Sequence, residues 1–131
     1  MSGHSTDDLK ALDRPRDLRD GERALLSQLL AQSFNGRNEI AAQLRGAQVI
    51  AEGVGDTRTL RFAPPPGDVP PVPTALRIPV EGIADDADGV AITVLLHVVD
   101  GWVTELEVYR VDGKSIRSGE QLSLRAVVVN E

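Results

Sequence analysis

The chain has 131 residues, 41% of them apolar and only four aromatic, with no cysteine and a net charge of −6. That length suits one domain with a sizeable core, packed from Val, Leu, Ile and Ala rather than from rings. The lack of cysteine excludes disulfides, thiolate metal sites and a cysteine nucleophile, and the acidic balance argues against nucleic acid, whose phosphates require Lys and Arg.

The N-terminus MSGHSTDDLK lacks the apolar stretch of a secretory signal. No apolar run reaches the roughly 20 residues that span a bilayer, so a cytoplasmic protein without membrane association is expected.

Residues 1–17 show no apolar period and are expected to be a disordered tail ahead of a single domain over 18–131. A helix follows, with Asp20 as N-cap, Leu25, Leu26, Leu29, Leu30 and Phe34 as its apolar face, and Asn35-Gly36 as its end. A shorter helix is predicted over 38–45, closed by Gly46. AQVIAE (47–52) and TRTLRF (57–62), separated by GVGD, read as a hairpin.

APPPGDVPPVPT (63–74) holds six of the eight prolines and reads as an extended surface connector. ALRIPVEG (75–82) is a strand that Pro79 restricts to an edge or an end. IADDADG is a loop, and VAITVLLHVV (90–99) is the most hydrophobic strand. Asp100-Gly101 is the strongest hairpin signal in the chain. WVTELEVYRV (102–111) returns to Asp112-Gly113, and LSLRAVVV (122–129) is the last strand. The expected fold is α+β, with one or two N-terminal helices packed on an antiparallel sheet of five or six strands.

A two-residue turn at Asp100-Gly101 sets the expected cross-strand pairs. One face carries Val99/Trp102, His97/Thr104, Leu95/Leu106 and Thr93/Val108, and reads as the core side. The other carries Val98/Val103, Leu96/Glu105, Val94/Glu107 and Ile92/Tyr109. Glu105 and Glu107 share a face because strand side chains repeat every two residues. On this register they point away from His97, and Tyr109 and Arg110 point to opposite faces.

Between Ile78 and Asp112 lie eight carboxylates (Glu81, Asp85, Asp86, Asp88, Asp100, Glu105, Glu107 and Asp112) against Arg110 alone. Such clustering favours a basic partner or a cation. The acidic loop does not match a calcium-binding loop, since Ala84 and Leu95 would occupy its first and last ligand positions. With His4 in the tail as the only other histidine, no His-based metal site is expected. Gly53 and Gly55 lack the third glycine of a dinucleotide site. No cofactor is expected.

The segments GERALLSQLL, PVEG, DADG, LLHV, the Asp100-Gly101 turn and ELEVYRVDG together resemble a family of small uncharacterised bacterial proteins, familiar from actinobacteria, over most of residues 18–116. The resemblance implies a small cytoplasmic α+β domain and carries over no catalytic residue. TELEVYRVDG also resembles a hairpin of cone-shaped α+β domains of the nuclear-transport-factor-like superfamily, from which the chain departs in having few long helices near its start.

The sequence therefore favours a non-enzymatic binding module. Its acidic sheet surface, with Glu105, Glu107, Asp86, Asp88 and Tyr109, would contact a basic protein, as in the masking of a cationic toxin. The alternative is a small-molecule binder or a hydrolase- or isomerase-like domain with a pocket near His97, Trp102 and Thr104, in which His97 is the base. A homodimer burying Ile92, Val94, Leu96, Val98 and Val103 is a third reading, because so apolar a face rarely stays open.

Overall fold

The computed structural model describes residues 9–54, 57–65, 67–119 and 121–131. Its centre is a hairpin of two nine-residue strands, Ala91–Val99 and Trp102–Arg110, designated β5 and β6. Asp100 and Gly101 join them with φ of 52° and 88°, the two positive angles that a type I′ turn requires. The chain begins with strand β1 (Leu9–Asp17), followed by helices α1 (Asp20–Leu29) and α2 (Arg37–Leu44). Strands β2 (Gln48–Gly53), β3 (Leu60–Phe62) and β4 (Val80–Asp85) precede the hairpin, and β7 (Leu124–Val129) ends the sheet.

These elements make an α+β fold with one antiparallel sheet of seven strands, in the order β1-β2-β3-β6-β5-β4-β7. Both helices lie on one face. Leu25, Leu26 and Leu29 of α1 and Ile40 and Leu44 of α2 meet the alternate residues Ile92, Val94, Leu96 and Val98 of β5 in the core. α1 comes close to β4 because Gly82 has no side chain: a Cβ there would lie 2.8 Å from Leu124 and 3.1 Å from Leu29. α2 is tied to the hairpin turn by Gln43. Its buried amide donates to the carbonyls of Gly101 (2.9 Å) and Pro70 (3.0 Å) and accepts from Val103 N–H (2.8 Å).

Several expectations are corrected. Residues 9–17 are a strand and not a tail; residues 1–8, with His4, lie outside the described residues. Among the described residues β1 pairs with β2 alone and shifts register between Ala11 and Arg16. Such an edge tolerates Pro15, whose missing N–H needs no partner on the solvent side. The sheet thus gains a seventh strand, and the helices are no longer the first elements.

Arg19, not Asp20, is the N-cap of α1, and Glu22 accepts from its backbone N–H at 2.8 Å. Helix α1 stops at Leu29, and Gly36 (φ 92°) is instead the N-cap of α2. The strand expected over 75–82 starts only at Val80, beyond Pro79, and runs on to Asp85. Gly55, Asp56 and Pro66 lie outside the described residues. The described part of the proline-rich connector is strapped down: Val72 is buried, its N–H donates to Gly101 at 2.7 Å, and Asn35 holds the Pro73 carbonyl at 3.0 Å.

The largest correction is the register of the hairpin. Val99↔Trp102 and Val98↔Val103 pair as expected, but the ladder shifts there, and the next pairs are His97↔Glu105, Leu96↔Leu106, Leu95↔Glu107 and Val94↔Val108. Thr104 is the extra residue of a β-bulge. Leu96, Leu106 and Val108 therefore face the core, whereas His97, Leu95, Thr93, Glu105, Glu107 and Tyr109 share the open face. The apolar row Ile92, Val94, Leu96, Val98 and Val103 assigned to a homodimer contact is buried beneath the helices.

Candidate functional site

Past the bulge, the open face carries a compact polar cluster. His97 Nδ1 accepts from Arg77 Nε at 3.1 Å, so the ring proton belongs on Nε2, which donates to Glu107 Oε1 at 2.8 Å. Glu105 lies beside them and meets Arg61 Nη2 at 3.6 Å. One donor atom from each of His97, Glu105 and Glu107 falls within 4.8 Å of the other two. The three side chains are only 13–17% exposed. The expected separation of His97 from the two glutamates is thus reversed. Thr104 contributes a weak hydroxyl contact to the His97 carbonyl at 3.5 Å, Trp102 stands exposed at the hairpin end, and Tyr109 pairs with Thr93 further along the same face.

Asp86 and Asp88 lie elsewhere, around the buried Arg110 at the end of β6. Arg110 Nη1 reaches Asp86 Oδ2 at 2.8 Å and both oxygens of Asp88 at 2.9 Å, while Nε and Nη2 form a fork with Asp112 at 3.0 and 2.6 Å. Asp86 also accepts from the backbone N–H groups of Ala87, Arg117 and Ser118 and from the Ser118 hydroxyl. Burial alone would raise the Asp86 carboxyl; the Arg117 and Ser118 donors and Arg110 outweigh it and hold it far below the usual carboxylate range. Hydrogen bonds from Arg110 lower Asp88 and Asp112 as well, and Asp112, then Asp86, raise Arg110. This cluster is a clamp joining the β4–β5 and β6–β7 loops, with three carboxylates gathered on one buried guanidinium.

A cavity of about 450 Å³ opens on the helix face, between α1 and strands β3 and β6. Leu25, Leu60, Leu106, Val108 and Leu122 form its apolar wall, and Thr57, Thr59 and Ser118 bring hydroxyls. Its lining also includes Arg16, Arg19 and Arg58 with Glu22 and Glu52. Arg16 bridges both acids, at 2.9 Å to Glu22 and 3.1 Å to Glu52. Burial would raise Glu22, but Arg16 and the Arg19 N–H bring it below its ordinary value; Glu22 in turn raises Arg16. Arg58 donates to the carbonyls of Ser118 and Gly119.

No residue of this cavity was singled out from the sequence as a site residue. Its lining comes from four separate segments, of which only Leu25 on α1 and Leu106 and Val108 on β6 carry an apolar period. Neither this cavity nor a second, about 580 Å³ beside Phe34, Leu76 and Val129, is lined by His97, Trp102 or Thr104. Among the described residues no helix is long and apolar enough to cross a membrane.

The model of a domain of unknown function, DUF6984, matches residues 15–119. The chain belongs to the DUF6984 family. The matched span holds His97, Glu105 and Glu107, the whole Arg110 clamp and all of the cavity lining except Leu122. No curated protein and no solved structure matches the chain.

Proposed function

We propose that this domain is a small-ligand-binding module, whose cavity between α1 and the sheet takes a molecule with an apolar body and an anionic head. The carrying observation is the cavity itself: about 450 Å³, lined by leucines and Val108 together with a group of charged residues. Sites of this size, mostly apolar with a few converging polar groups, suit small molecules. Three guanidinium groups face two carboxylates there, and both carboxylates are held by Arg16. The surplus positive charge, with Arg19 exposed to solvent, favours a monoanion.

The reading as an acidic contact for a basic protein draws less support from the charge pattern. Of the acids named for it, Asp86 and Asp88 are bound to Arg110, Glu107 to His97, and Glu105 lies against Arg61.

Calorimetric titration with octanoate and with octanol tests the cavity reading. Octanoate is expected to bind more tightly than octanol, and Val108→Phe, which fills the cavity, is expected to abolish both. Equal binding by the parent and a folded Val108→Phe variant would place the ligand elsewhere and end the proposal.

A further inference from the structure

We propose that His97, Glu105 and Glu107 form a site for a divalent transition-metal ion of the zinc type, on the sheet face opposite the cavity, and that Arg77 controls access to it. The donor set is one imidazole nitrogen and two carboxylate oxygens, the three-ligand composition that leaves a coordination position for water. One donor atom from each residue already lies within 4.8 Å of the others, so the three converge on one point in space. Their convergence depends on the bulge at Thr104: with the unshifted register His97 would face Thr104, and the glutamates would point into the core. Bulges recur where a strand must re-aim a side chain.

The surroundings favour binding at Nε2. Leu95, between His97 and Thr93 on β5, contributes an apolar neighbour, and the three ligands are largely shielded from water. The charged groups facing them are Arg61 from β3, Arg77 from the segment before β4, and, one strand further, Glu81, which is held by Asn130 at 2.8 Å. Arg77 is the decisive one. By donating to Nδ1 it fixes the tautomer whose proton sits on Nε2, the nitrogen facing Glu107. A cation at Nε2 requires that proton to move to Nδ1, which can then no longer accept from Arg77, so Arg77, exposed on the surface, swings away. Binding is therefore coupled to a shift of the ring proton from Nε2 to Nδ1.

The test is calorimetric titration of the full chain with zinc and, separately, magnesium. Variants are His97→Ala, Glu107→Gln and Arg77→Met, with circular dichroism confirming that each is folded. One zinc ion should bind the parent, with little affinity for magnesium, which prefers oxygen ligands. His97→Ala and Glu107→Gln should each weaken zinc by at least about tenfold, the low end of what even outer-shell partners contribute. Arg77→Met should tighten it, which a merely structural arginine would not do. If His97→Ala fails to fold, Glu107→Gln alone carries the comparison. The proposal is overturned if a folded ligand variant binds zinc like the parent, if magnesium binds equally well, or if neither the parent nor Arg77→Met binds zinc at millimolar concentration.

Discussion

Arg110 Nη1 lies 2.8 Å from Asp86 Oδ2, with the two side chains only 2% and 0% exposed. Removing one member of such a pair leaves the other charge without compensation in a closed environment, whereas a partner at the surface is replaced by water. Asp86→Asn is therefore expected to lower the urea midpoint much more than Asp88→Asn, because the Asp88 side chain is 28% exposed. Equal midpoints would show that Arg110 rather than Asp86 organises the two loops.

The same cluster sets the response to acid. Asp86, Asp88, Asp112 and Glu22 all have carboxyls held below their ordinary values in the folded chain. On unfolding they return to those values, so below roughly pH 5 the unfolded state binds more protons and stability falls with falling pH. Their contribution is fully present above the unfolded range and is lost as pH drops through the folded values. Thermal melting between pH 7 and pH 2 should show this slope, and a folded Asp86→Asn variant should show a shallower one. A parent melting temperature independent of pH would contradict the clamp.

Gln43 offers a neutral counterpart. In Gln43→Leu the Gly101 carbonyl keeps the N–H of Val72, and Pro70 is exposed enough for water to replace the amide. The buried Val103 N–H loses its acceptor, Gln43 Oε1. A cost of about 1–3 kcal/mol is expected in urea unfolding, the penalty of one orphaned buried donor. A neutral substitution would mean that α2 is not held to the turn by this amide.

The bulge can be tested with two leucines. Leu96 is fully buried whereas Leu95 lies half-buried on the open face. Leu96→Ala should destabilise by roughly 2–5 kcal/mol, the range for emptying a core position, and Leu95→Ala by well under that. The reverse ranking would restore the unshifted register.

That register shows where local reading stops. The parity of β6 carried a signal: Val103 points inward with Leu106 and Val108, which an unbroken strand cannot do because their spacing is odd and then even. Uniform alternation from the turn missed it and placed His97 and the two glutamates on opposite faces. The cavity offered no comparable signal, since Arg16, Glu22, Glu52, Thr57 and Ser118 meet only when β1, α1, β2 and two loops are assembled.

The sequence by itself determined the α+β class, both helices and the Asp100-Gly101 hairpin, because leucine spacing and the turn residues act on their nearest neighbours. Tertiary structure alone decided that residues 9–17 form a strand, since LKALDRPRD has little period of its own and its ladder depends on the backbone groups of β2. It also decided the partners of the acidic residues. Side-chain pairing depends on distances of a few ångströms between groups far apart in the chain, and in the fold most of those carboxylates are bound within the domain.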